Sequence, residues 1–141
     1  MNVLVIQGAG MDLRGKADVE IFGPETLPEI NARIEADAAA LDVAVDVRQS
    51  NDEAEAAGWV GAAADEFDAL IINPSGFTTS EGALVEALRN LSLVVIEVHA
   101  SNPSARGVRS TITPVSNGAV CGFGYAGYKV ALAGLLGGRS G

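Results

Sequence analysis

Apolar and polar positions fall into alternating blocks along the chain. Val3-Leu4-Val5-Ile6 is an unbroken apolar run that stops at Gln7-Gly8-Ala9-Gly10. Such a run reads as a strand covered on both faces and followed by a loop. Comparable runs recur at Asp68–Pro74, through Leu70-Ile71-Ile72, and at Leu93–His99. From Asp42 to Arg48 only Val43, Val45 and Val47 alternate with polar residues, which predicts a less covered strand. Gly118–Gly122 fits a short fifth strand. Helical spacing fills the gaps: Leu27, Ile30, Ile34 and Leu41, then Trp59, Val60 and Ala63, then Leu84, Leu88 and Leu91. Tyr125–Leu136 fits a last helix, frayed by Gly137-Gly138. Thr26 and Glu29 have the form of a capping box, with Pro28 tolerated in the first turn. Ser50 and Glu53 repeat that form, and Thr78-Thr79-Ser80-Glu81 is expected to cap the third helix. Met11–Pro24 has no period and carries Asp12, Arg14, Lys16, Asp18 and Glu20, so it reads as a polar lid loop after the first strand.

This repeated strand–helix order predicts an α/β fold, a parallel sheet with helices on both faces. Ligands bind such sheets beyond the carboxyl ends of the strands. Three polar segments lie there, Gly8–Gly23, Asn73–Thr79 and His99–Arg109, and one shared pocket is expected. Gly8-Ala9-Gly10 with Gly15 is not a dinucleotide fingerprint, because the last glycine is misplaced. Gly122-Phe123-Gly124-Tyr125-Ala126-Gly127 does fit G-x-G-x-x-G, but no strand follows it, so close packing of the last helix is the better reason for it.

Composition narrows the function classes. The chain has 141 residues, one domain over its whole length, with a net charge of −9. Nine scattered Lys and Arg residues do not suit nucleic acid or an anionic membrane. One cysteine, Cys121, and one histidine, His99, argue against a zinc cluster and a multi-histidine metal site. Cys121 reads as a buried small hydrophobe, and Tyr125 and Tyr128 as helix packing. No cofactor or metal is implied, and no targeting segment is visible. A cytoplasmic protein acting on a small molecule is the expectation.

Several segments, taken in order, resemble the type II 3-dehydroquinate dehydratase family. They are Gly8-Ala9-Gly10-Met11-Asp12-Leu13-Arg14-Gly15, Phe22-Gly23, Thr26-Leu27, Gln49-Ser50-Asn51, and Ile72-Asn73-Pro74-Ser75-Gly76-Phe77-Thr78-Thr79-Ser80. Glu97-Val98-His99-Ala100-Ser101-Asn102, Ala105-Arg106 and Cys121-Gly122-Phe123-Gly124-Tyr125-Ala126-Gly127-Tyr128 complete the match. The resemblance implies a flavodoxin-like three-layer fold, a five-stranded parallel sheet in the order 2-1-3-4-5, and a homo-oligomer, either a trimer or a tetramer of trimers. It also implies that His99 protonates a departing hydroxyl. Asn73 and backbone N–H groups of the His99-Ala100-Ser101 segment would take the substrate carboxylate, and Arg109 matches, through a gapped alignment, an arginine that binds ring hydroxyls.

The chain departs from that family where the proton would be removed. The lid tyrosine position is Phe22, the lid arginine position is Ala17, the loop asparagine position is Gly10, and the second histidine position is Thr79. The loop after Arg106 is also shorter. Phenylalanine has no ionisable oxygen, so Phe22 cannot be a base. Asp12, Asp18 and Glu20 are solvated lid charges on a plain reading, and one of them could replace the base. Glu97 stands two residues before His99 on a strand, so both side chains share a face and the carboxylate can fix the imidazole tautomer. Candidate site residues are therefore His99 and Glu97 for chemistry, with Gly10, Asp12, Phe22, Asn73, Thr79, Ala100, Ser101, Asn102, Arg106 and Arg109 around the substrate. Three readings follow. One is a lyase or cyclase on a non-quinate small molecule, in specialised metabolism. Another is a non-catalytic binding or assembly module. The last is a very slow 3-dehydroquinate dehydratase.

Overall fold

A computed structural model describes residues 1–137; the fraying expected at Gly138 lies outside them. The five strands are β1 (Asn2–Ala9), β2 (Ala44–Gln49), β3 (Ala69–Ser75), β4 (Val94–His99) and β5 (Gly118–Cys121). They form one parallel sheet in the order β2-β1-β3-β4-β5. The helices are α1 (Val19–Phe22), α2 (Leu27–Ala40), α3 (Glu53–Ala62), α4 (Ala83–Asn90) and α5 (Gly127–Leu136).

Strand alternation sorts the core into two halves. Val3 and Val5 of β1 and Ile71 of β3 join Ile30 and Ile34 of α2 and Leu132 of α5 on one face. Leu4, Ile6, Leu70 and Ile72 point the other way, onto Val60 of α3 and Leu84 and Leu88 of α4. This is why β1 and β3 read as continuous apolar runs: every side chain meets a helix. β2, at the sheet edge, is only half-buried.

Local signals hold in part. Thr26 and Glu29 form the expected capping box. The Ser50–Glu53 box does not form: Asp52 caps α3 by accepting from Ala54 N–H, while Ser50 accepts from Asp52 N–H. The first turn of α4 is not capped by the Thr78–Glu81 run either, since its cap residue is Gly82. Glu53 reaches over from α3 instead, accepting from the Leu84 N–H at 3.1 Å and from the Ser80 hydroxyl at 2.6 Å. The lid is not wholly irregular, because it winds into the short α1 before Gly23. Gly8 allows close strand approach, since a Cβ there would lie 2.0 Å from the Pro74 carbonyl oxygen. Gly127 seats α5, where a Cβ would meet Val98 at 3.2 Å.

Candidate active site

The carboxyl ends of β3 and β4 and the underside of the lid enclose a cavity of about 360 Å³. Arg14 and Phe22 wall it on the lid side, and Asn73, Ser75 and Thr79 come from β3 and its exit. His99, Ala100, Ser101 and Arg106 come from β4 and the turn after it. The three segments expected to share a pocket therefore do so.

Glu97 and His99 sit on one face of β4, as the strand period requires. Glu97 is fully buried, and its Oε2 lies 2.6 Å from His99 Nε2. Ser110 donates to the same oxygen at 2.5 Å, and Thr113 donates to Oε1. Burial works to raise the Glu97 pKa, but the hydrogen bonds from His99, Ser110 and Thr113 outweigh it and hold the carboxyl below its ordinary value. The carboxylate therefore stays ionised and anchors Nε2. No hydrogen bond among the described residues reaches the other ring nitrogen.

Asn73 is held from the opposite face of the sheet. Its Nδ2 donates to the Tyr128 hydroxyl at 2.9 Å, and that hydroxyl donates to Gln7 Oε1 at 2.6 Å. Burial raises the Tyr128 pKa far above its ordinary value, so the phenol keeps its proton and the relay keeps its direction. Which edge of the Asn73 amide meets the cavity is thereby fixed. Arg106 donates to the Ser101 hydroxyl at 2.8 Å, shaping the rim.

Four expected site residues lie elsewhere. Asn51 accounts for two of them, because its Oδ1 accepts from Gly10 N–H at 2.9 Å and its Nδ2 donates to Asp12 at 3.2 Å. Gly10 and Asp12 are thus drawn towards the end of β2 and do not line the cavity. Asn102 is exposed and caps the turn Pro103–Arg106, its carbonyl accepting from Ala105 N–H. Arg109 lies past Gly107, whose left-handed backbone (φ 76°) turns the chain over Val108. It lines a second cavity of about 470 Å³, shared with His99, Ser110, Thr113 and Cys121. Cys121 is half-buried there and not a core residue. Burial, with the Glu97 charge, raises its thiol pKa and keeps it protonated.

Sequence reasoning missed other groups. Tyr125 and Tyr128 do more than pack: the Tyr125 hydroxyl donates to the Phe22 carbonyl at 3.0 Å, pinning the lid. Ser110 and Thr113 hold Glu97, although no local signal marks them. Arg14 was visible only as one lid charge among several. Ala17, the lid arginine position, is exposed and outside the cavity.

Residues 1–136 match the family model described as dehydroquinase class II. The protein of Caulobacter vibrioides named 3-dehydroquinate dehydratase is 42% identical over 136 residues, covering 94% of this chain and 93% of that one. A protein of the same name from Caldanaerobacter subterraneus is 40% identical, covering 93% and 90%. Among solved structures, the type II dehydroquinase of Propionibacterium acnes superposes with a TM-score of 0.91 at 31% identity, covering 97% of each chain. A 3-dehydroquinate dehydratase-like protein of Bifidobacterium longum gives 0.73 at 31% identity, covering 99% of each.

Proposed function

From the premise that the chain belongs to the class II dehydroquinase family, we propose that it is a lyase acting on a small molecule other than 3-dehydroquinate, with His99 as its acid–base group. One observation carries this reading. Of the described side chains lining the cavity, His99 is the one imidazole, a group type that can both give and take a proton; the others are guanidinium, hydroxyl, amide and apolar groups. Position 22 in the lid is a phenylalanine, and the lid carboxylates of Asp12, Asp18 and Glu20 are exposed outside the cavity. Glu97 keeps the imidazole oriented, so His99 is ready to give a proton to a departing hydroxyl. A positioned base at the lid is missing, and that loss costs roughly 10²–10⁴ in rate for a substrate that needs one.

The names of the relatives favour a second reading, a slow 3-dehydroquinate dehydratase. One assay separates the two. Loss of water from 3-dehydroquinate gives a conjugated enone carboxylate that absorbs in the ultraviolet. Turnover is expected to fall at least about 10²-fold below a typical enzyme rate of roughly 10 s⁻¹. Phe22→Tyr combined with Ala17→Arg is expected to raise it. An ordinary rate in the unaltered protein would favour the second reading and remove the first.

A further inference from the structure

Four consecutive residues, Ser110 to Thr113, are each tied to a different partner around the site. Ser110 donates its hydroxyl proton to Glu97 Oε2 at 2.5 Å and accepts from the Ile112 N–H at 3.1 Å. With its oxygen already taking a donor, the Ser110 hydroxyl turns its one proton to the carboxylate. Thr111 donates its N–H to the Thr78 carbonyl at 2.9 Å and its hydroxyl to the Ser80 carbonyl, which holds the turn that carries Thr79. Ile112 is fully buried in the half of the core that holds Leu84 and Leu88. Thr113 donates to Glu97 Oε1. Among the described residues, three donors therefore meet Glu97: one imidazole N–H and two hydroxyls.

A buried carboxylate facing an imidazole has two ways to hold the proton between them. In the ion pair the proton is on Nε2, and in the neutral pair it is on the carboxyl. Desolvation favours the neutral pair, and hydrogen bonds donated to the carboxylate favour the ion pair. Glu97 is 0% exposed, so without its hydroxyl donors the balance tips to the neutral pair. The other groups around His99 give no help. Arg14 and Arg106 line one cavity with it, Arg109 and Cys121 line the other, and no described carboxylate lines either. Three guanidiniums and a protonated thiol do not favour a charged imidazole, so the Glu97 charge has to.

We propose that Ser110 and Thr113 are positioning residues that keep the proton between Glu97 and His99 on the nitrogen, so that His99 meets the substrate as an imidazolium. An imidazolium gives up its Nδ1 proton readily, whereas the N–H of a neutral imidazole is a very weak acid. The Nδ1 proton passes to the departing oxygen, which leaves with the electron pair of the broken C–O bond as water. His99 is then a neutral ring that keeps its Nε2 proton, and Glu97 keeps its charge. The inference deepens the acid–base reading of His99 and rests on it.

His99 is the one histidine of the chain, so nitrogen-15 labelling of histidine gives NMR signals from its two ring nitrogens and no others. As pH is lowered, Nε2 of the unaltered protein is expected to keep its full one-bond coupling to a proton while Nδ1 gains one. Ser110→Ala combined with Thr113→Val is expected to lose the Nε2 coupling and to gain a protonated-carboxyl infrared band, which adding Glu97→Gln removes. Thr113→Ser keeps a hydroxyl and should behave like the unaltered protein. Thr111→Val cuts a bond of the same segment that does not touch Glu97, and should leave both nitrogens unchanged. Thermal melts show which variants are folded. If the double variant does not fold, Thr113→Val alone takes its place, because it strips Oε1 of its donor. A full Nε2 coupling in the folded variant would overturn the proposal. So would its absence from the unaltered protein, or an equal loss in Thr111→Val. None of these readings uses turnover, so failure of the acid–base role itself, seen as normal turnover in His99→Ala, is distinguishable from them.

Discussion

At the scale of single residues, the pair Glu97–His99 makes two separable predictions. His99→Ala is expected to lower turnover of the true substrate by about 10²–10⁴ while leaving the fold intact. Glu97→Gln should cost less, because it loosens the ring without removing the proton carrier. Normal turnover in His99→Ala would leave the cavity acting by binding alone. The second prediction concerns stability against pH. The folded Glu97 pKa lies below its ordinary value. Its contribution is therefore present above the unfolded glutamate pKa of about 4.3 and is lost as pH falls through the folded value. Urea melts of the unaltered protein should weaken through that acid window, and Glu97→Gln should weaken less steeply. How far these residues were legible depended on the distance between partners. Glu97 and His99 stand two apart on one strand, so periodicity alone put them on one face. The rest of the carboxylate's shell, Ser110 and Thr113, is brought in by the loop before β5 and left no trace in any local pattern. Arg14 was hidden for a different reason: a guanidinium's burial depends on Phe22 and Ser75, which only folding places beside it.

Secondary elements show the same division between local and distant causes. The Thr26–Glu29 box was readable because all its partners lie within one turn. Ser50 and Glu53 have the same spacing, yet Asp52 captures the Ala54 N–H and frees Glu53 for another helix. A glutamate that caps a neighbour in place of its own helix has no spacing signature. It does have a measurable consequence: Glu53→Ala should destabilise the fold by about 1–2 kcal/mol through the start of α4, on the scale of losing a cap. Guanidinium melts read it directly, and a loss no larger than that of an exposed surface change would count against the capping role. The lid was legible as polar and lacking a period, but α1 was not. Val19 and Ile21 are 40% and 64% exposed, so no apolar stripe announces those four residues as a helix.

On the scale of the molecule, the order β2-β1-β3-β4-β5 followed from the alternation of strands and helices together with the family resemblance. What alternation could not supply was which residues after β4 turn inward, because Gly107 sends Arg109 to a second cavity. We also propose assembly as a trimer or a tetramer of trimers, a state implied by the family resemblance. Sedimentation at micromolar concentration should show it, and a monomer alone would count heavily against it. The two hydroxyls at the start of the last helix carry a consequence for synthesis. Tyr125 holds the lid at Phe22 across 103 positions of chain, and Tyr128 holds Gln7 across 121. A nascent polypeptide leaves the ribosome amino end first, so the lid and the first strand emerge long before the groups that fasten them. Until α5 clears the exit tunnel, Gln7 and Asn73 have no phenol between them and Phe22 has no tether. The pocket is thus among the last parts of the molecule to exist, and a chain stopped just short of Tyr125 would hold all five strands of the sheet yet lack both tethers of its site.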